Sequence, residues 1–194
     1  MKQLFVALFL MACGVTTYGQ SVNLNGKLDA LKGQKEIMVE YTYNDMKVGK
    51  MTETEYVNKK VSEYNAKEAG RGDKWKGDWV ADRTGRFEPQ FEELFNEYSN
   101  NIKITEKAKT GYTLQVNTDF TEPGFNVYAV KKRAKIDLTV RVIENATKKE
   151  IATIEIKNSP GRDVMGYDYD TGSRIQEAYA KAGKELGKLF NKKI

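Results

Sequence analysis

The chain has 194 residues, with 32 Lys and Arg against 27 Asp and Glu for a net charge of +5, one cysteine at position 13 and no histidine. That composition excludes a Ser-His-Asp or Cys-His relay and a zinc site built from His and Cys, leaving carboxylate chemistry with Tyr, Lys or Ser and hard cations held by oxygen. The length is that of one domain able to bury a core.

Met1 and Lys2 lead into an apolar run from Leu4 to Val15 and a small-residue exit, Thr17-Tyr18-Gly19, the pattern of a secretory signal over residues 1–19. The run is too short for a transmembrane helix, and no later stretch is long enough. Cleavage after Gly19 releases a chain starting at Gln20. A second exit at Leu10-Met11-Ala12-Cys13 has the form of a bacterial lipobox and would leave Cys13 lipidated; the plainer reading discards Cys13 with the signal. An exported chain without disulfides fits a bacterial periplasm or envelope better than a eukaryotic extracellular space. The expected location is therefore periplasmic or extracellular, and the sequon Asn145-Ala146-Thr147 is read as turn chemistry.

Residues 20–34 are polar and carry glycine, a lead-in to a single domain over 35–194. Glu36 to Tyr43 reads as a strand with Ile37, Val39, Tyr41 and Tyr43 on one face. Thr52-Glu53-Thr54-Glu55 matches a capping box and opens a helix to about Ala69, with Tyr56, Val57, Lys60, Val61 and Tyr64 along one side. Glycines 70, 72 and 77 are expected to break it, leaving Trp75 and Trp79 on a loop.

A second helix is predicted from Arg86 or Phe87, because Phe87, Phe91, Leu94, Phe95 and Tyr98 recur at helical spacing and Pro89 fits its first turn. Ile102 and Ile104 mark a short strand, and Tyr112, Leu114 and Val116 a longer one before a turn at Pro123-Gly124. Ile136, Leu138, Val140 and Val142, answered by Ala152, Ile154 and Ile156, form a hairpin. The last helix opens near Ser173-Arg174-Ile175-Gln176, with Ile175, Ala178, Tyr179, Ala182, Leu186, Leu189 and Phe190 on one stripe. This order predicts an α+β fold: a mostly antiparallel or mixed sheet of four to five strands with two to three helices packed on it.

The succession Asn101-Ile102-Lys103-Ile104, a short loop, Gly111-Tyr112-Thr113-Leu114-Gln115-Val116 and the Ala-rich helix Gln176 to Lys184 resembles the periplasmic domains of curli-secretion-channel and penicillin-binding-protein-activator lipoproteins. Their helix, strand, polar loop, strand order is similar over residues 86–190. The mature chain also resembles uncharacterised exported proteins of the Bacteroidetes, particularly through Arg162 to Gly172. The first resemblance implies an envelope adaptor and brings no catalytic residue with it.

Trp75 and Trp79, with Asp78, Asp82 and Arg83 close by, form a candidate glycan site, because indole faces stack on sugar rings while carboxylates and guanidinium groups bond hydroxyls. The plainer reading makes both tryptophans buried anchors. A carboxylate hydrolase would draw on Asp73, Asp78, Asp82 and Glu88, but no catalytic residue is assigned. Asp168 and Asp170 give a fragment of a calcium loop without its third ligand or its twelfth-position Glu, so capping of the last helix by Asp170 or Ser173 is preferred, and no metal or cofactor is expected.

The positive excess lies in the second half, in clusters at Lys131, Lys132, Arg133 and Lys135 and at Lys184, Lys188, Lys192 and Lys193. In an exported protein these would face anionic lipid, lipopolysaccharide or acidic glycan rather than nucleic acid, or simply water. The sequence thus predicts a non-enzymatic envelope binding or adaptor protein; the alternatives are a glycan-binding module and, behind it, a carboxylate hydrolase.

Overall fold

The structure is a computed structural model that describes residues 19–127, 130–162 and 170–194, the side chains of 126, 127, 130 and 131 excepted. The predicted signal up to residue 18 with Cys13, the calcium candidate Asp168 and the side chain of Lys131 lie outside the described residues.

In chain order the elements are β1 (Ser21–Gly26), β2 (Glu36–Thr42), β3 (Lys47–Val48), β4 (Met51–Thr52), α1 (Glu53–Asn65), α2 (Arg71–Asp82), a π-helical turn (Arg83–Phe87) and α3 (Glu88–Tyr98). There follow β5 (Lys103–Thr105), β6 (Tyr112–Glu122), β7 (Phe125–Val127), β8 (Val130–Lys132), β9 (Lys135–Glu144), β10 (Lys149–Pro160) and α4 (Thr171–Lys193). The π turn joins α2 to α3 with right-handed helical backbone at both junctions, so the helices form three bodies, α1, α2 through α3, and α4.

The fold is α+β, built on one mixed sheet in the order β1-β10-β9-β6-β2-β5, with β3 continuing beyond β2 along β6 and pairing β4. It has eight strands, not four to five. The additional ones are β1, which occupies the expected lead-in, and the two-residue β3 and β4. Two residues have no period to read, and in β1 the apolar signal rests on Val22 and Leu24 alone among Ser, Asn and Gly. β7 and β8 form a separate hairpin. The long β9-β10 hairpin, β2, β5, β6 and the turn after Glu122 stand where the alternation put them.

Register aligns one apolar face across the sheet. Leu24, Ile154, Val140, Val116 and Tyr41 lie in one row, and Ala152, Val142, Leu114 and Val39 in the next. This face meets the helices: Tyr41 packs edge-on to Phe91, Ser159 Oγ donates to the Ala178 carbonyl at 2.7 Å, and the Thr118 and Tyr179 hydroxyls bond at 2.6 Å. The opposite face carries Gln115, Asn117, Asp119, Thr139, Arg141 and Lys157. Asp119 there accepts from Asn117 at 2.9 Å and Thr139 at 2.7 Å, and pairs with Lys157 at 3.5 Å.

The capping box of α1 forms as predicted, with Thr52 Oγ1 accepting from the Glu55 amide at 3.2 Å and the Glu55 carboxylate accepting from the Thr52 amide at 2.8 Å. In α4 the cap is Asp170, whose carboxylate accepts from the Ser173 amide at 3.0 Å, so the helix begins ahead of the predicted Ser173 box. α4 lies on α3 at backbone contact: a Cβ on Gly183 would collide with the Phe91 carbonyl, and one on Gly187 with that of Phe95. Phe95 and Phe190 close this seam edge to face, their ring centres 5.1 Å apart.

Candidate functional site

The tryptophans do not sit on a loop. α2 runs through Gly72 and Gly77, because its start is tied to the end of α1: the Gly72 amide donates to Asn65 Oδ1 at 2.7 Å, and Asn65 Nδ2 donates to Asp73 at 3.1 Å. Arg71, Gly72 and Asp73 thus form the first turn of α2. Trp79 is 7% exposed, and its indole N–H donates to Glu53 Oε1 at 2.6 Å. It is the anchor of α2 on α1, as the plainer reading had it. Trp75, one turn earlier and half-buried, stacks on Trp79 with ring centres 5.6 Å apart and meets Tyr56 and Tyr64. Its own indole N–H has no acceptor among the described residues.

At the end of α2 the π turn separates two arginines that an α-helix would hold on one side. Arg83 turns to α1, where it pairs with Glu53 and lies 4.0 Å from the centre of the Tyr43 ring. Arg86 turns to α4: Nε meets Asp82 Oδ1 at 3.0 Å, and Nη1 donates to Asp170 Oδ1 and Oδ2 at 2.8 and 2.9 Å. Gly172 lets the Asp82 carboxylate approach the first turn of α4, since a Cβ there would overlap Asp82 and the Arg86 guanidinium.

Between these elements opens a groove of about 490 Å³, lined chiefly by Tyr64, Trp75, Asp78, Asp82, Arg86 and Asp170. Burial raises the Asp82 carboxyl above the usual carboxylate range, with Asp170 and Asp78 adding to it and Arg86 opposing. Burial acts the same way on Asp170, but the Ser173 amide and Arg86 outweigh it and hold Asp170 below that range. Among the described residues Asp78 is bonded only by Lys74, at 2.8 Å, and its side chain is 64% exposed. Lys60, Lys67 and Arg71 lie within 6 Å of the Tyr64 ring centre.

The structure thus brings Trp75, Asp78 and Asp82 into one groove with the edge of Trp79, and takes Arg83 out of it into the α1 contact. Sequence reading missed Arg86, Asp170 and Tyr64 as groove residues. Asp170 drew notice as a calcium fragment and as a candidate cap of the last helix, and Tyr64 only as part of a helix face. Nothing in local spacing could place position 170 beside 86.

Of the hydrolase candidates, Asp78 and Asp82 share the groove and the other two do not. Asp82 is held by Arg86 and Asp73 by Asn65. Glu88 is buried, accepts from the Tyr43 hydroxyl at 2.9 Å, and faces a separate depression with Glu92, Glu93 and Glu106. Among the described residues no group of three His, Cys, Asp or Glu side chains is placed to hold a metal ion.

The basic clusters carry internal partners. Lys132 pairs with Glu122, Lys184 lies 4.4 Å from the Tyr98 ring centre, Lys188 bonds Glu185 at 2.7 Å, and Arg133 is exposed but also engaged, while Lys192 is exposed. No described helix is long and apolar enough to cross a membrane.

No family model matches the chain, and no match is found among the curated proteins. Among solved structures it is similar to the PelC dodecamer from Paraburkholderia phytofirmans, at 9% identity over 84% of this chain and 96% of that one, with a TM-score of 0.40. It is also similar to a DUF330 protein from Xanthomonas campestris, at 11% identity over 80% and 82% of the two chains, with a TM-score of 0.42. A third similar structure is a neuraminyllactose-binding hemagglutinin homologue from Helicobacter pylori, at 11% identity over 84% and 89%, with a TM-score of 0.34.

Proposed function

We propose that the protein is an exported, non-enzymatic binding or adaptor protein of the bacterial envelope, and that the groove between α2 and the first turn of α4 is its recognition site. The observation that carries this reading is the juxtaposition of a half-buried aromatic platform, Trp75 with Tyr64, and polar groups from two distant segments, Asp82 and Arg86 on one side and Asp170 on the other. An apolar floor ringed by a few oriented polar groups is the usual make-up of a binding cleft. Export is supported by the N-terminal pattern of residues 1–19, and a binding role by the absence of His and of any Cys after position 13. The hydrolase alternative is not favoured, because, of its candidates, Asp78 and Asp82 alone share the groove, Asp82 is paired with Arg86, and Asp73 and Glu88 are bonded elsewhere.

The test is site-specific photocrosslinking in native envelope extract, with a crosslinking residue at Gly85 in the groove and another at Gln115 on the open sheet face. A discrete adduct from Gly85 and none from Gln115 supports the groove. An adduct from Gln115 alone moves recognition to the sheet face, and no adduct from either position overturns the reading.

A further inference from the structure

Resting on that reading of the groove, we infer that its ligand is a sugar ring that is uncharged or amine-bearing, stacked on Trp75 and bonded through its hydroxyls to Asp78 and Asp82. Three features select this chemistry. Trp75 supplies an apolar face and an indole N–H that no described residue bonds, unlike Trp79, whose N–H is taken by Glu53. Carboxylates accept from vicinal hydroxyls two at a time, and Asp78 is open enough to do so, its side chain being 64% exposed and bonded among the described residues only by Lys74. Arg86 spends Nε and Nη1 on Asp82 and Asp170, and its Nη2 has no hydrogen-bond partner among the described residues, so the rim also offers a donor.

Charge decides against an acidic ligand. Asp78, Asp82 and Asp170 line the groove against Arg86, and Lys74 beside Asp78 does not reverse the balance. Asp82 already stands in the field of two other carboxylates, so a sugar acid would add a like charge at short range. The cations around Tyr64, Lys60, Lys67 and Arg71, are engaged with its ring and are not among the residues that line the groove. None of the described basic residues of the second half lines the groove either.

The chain holds only two tryptophans, Trp75 and Trp79, and both line the groove, so intrinsic fluorescence reads this site alone. The mature protein would be titrated with chitotriose, its de-acetylated amine form, maltotriose and sialyllactose. A saturable emission change is expected with at least one of the first three, half-complete near about 1 mM as befits a small, open site, and at least about tenfold weaker with sialyllactose. Asp78→Asn leaves the fold intact, because it breaks only one exposed pair, and should weaken binding at least about fivefold. Trp75→Ala should abolish binding and Trp75→Phe retain part of it, each followed by isothermal calorimetry with circular dichroism as the fold control. Silence with the first three sugars at about 10 mM, equal or tighter binding of sialyllactose, or full binding by a folded Trp75→Ala protein overturns the inference. If the sugars are silent while the Gly85 crosslinker still captures a partner, the ligand class fails and the binding reading stands; if both are silent, both fail.

Discussion

Arg86 donates through Nη1 to both oxygens of Asp170 at 2.8 and 2.9 Å, joining residues 84 positions apart and tying the end of α2 to the cap of α4. Both side chains are well exposed, at 40% and 53%, so the ion pair itself contributes little, within about 1 kcal/mol. Asp170 also bonds the Ser173 amide, and that role is the costlier one to lose. Asp170→Ala should destabilise by about 1–2 kcal/mol and Arg86→Ala by less than about 1 kcal/mol in urea unfolding. Because the folded protein holds Asp170 below the ordinary carboxylate pKa, its contribution is present above that value and is lost as pH falls through the folded one. The stability gap between parent and Asp170→Asn should therefore shrink on acidification below about pH 4; a constant gap would remove the ionic part of this account.

The seam between α3 and α4 makes a sharper demand on sequence. Gly183 sits against the Phe91 carbonyl with no room for a methyl group, so Gly183→Ala must either push the helices apart or distort one of them. We expect a loss of about 1–3 kcal/mol, despite the better helix propensity of alanine. Lys181→Ala, two residues earlier on the half-exposed side, should change stability by less than about 0.5 kcal/mol. Equal effects at the two positions, measured by thermal unfolding, would show that the seam is not tight.

These two contacts are tertiary, and tertiary contacts are what a sequence discloses least. The apolar stripe of α4 and the alternation in β9 and β10 are local periodicities, and they were legible because burial repeats every 3.6 or 2 residues. The capping box at Thr52 was legible for the same reason, since its partners are three residues apart. Gly72, Gly77, Gly183 and Gly187 misled or went unnoticed. A glycine ends a helix by default; Gly72, Gly183 and Gly187 stand inside helices where another backbone comes close, Gly72 with Asn65 also holding the turn, whereas Gly77 has open space around it. The candidate site was half legible: Trp75, Asp78 and Asp82 share one helix, whereas Tyr64, Arg86 and Asp170 join them only through tertiary contacts and a π turn that no propensity marks.

Trp79 should behave as a structural residue and Trp75 as a binding one. Trp79→Phe removes the donor to Glu53 and leaves that half-buried carboxylate with Arg83 as its remaining partner, a cost of about 1–3 kcal/mol. Trp75→Phe keeps the aromatic contacts with Tyr56 and Tyr64 and gives up no hydrogen bond, so it should cost less than about 1.5 kcal/mol. Chemical denaturation of the two variants, followed by circular dichroism, checks the ordering. A larger loss for Trp75→Phe would make both tryptophans anchors and weaken the case for a groove platform.

Glu92 couples the far side of the helical layer to pH. Burial raises its carboxyl to about 7, Glu106 and Glu88 push in the same direction, and the Tyr41 hydroxyl, donating at 3.4 Å, opposes them. The folded state thus binds a proton that the unfolded chain has released by about pH 5. For a group shifted upward the contribution to stability is complete below the unfolded pKa and declines as pH rises, here from about 4.5 to about 7. Glu92→Gln replaces the charged form with a neutral amide that can still accept from Tyr41. The variant should match the parent near pH 4 and melt higher than the parent at pH 8, the gap opening across that interval. A difference in Tm that does not vary between pH 4 and pH 8 would mean that Glu92 titrates as a solvated carboxylate, and that Glu88, Glu92 and Glu106 are too well hydrated to feel one another.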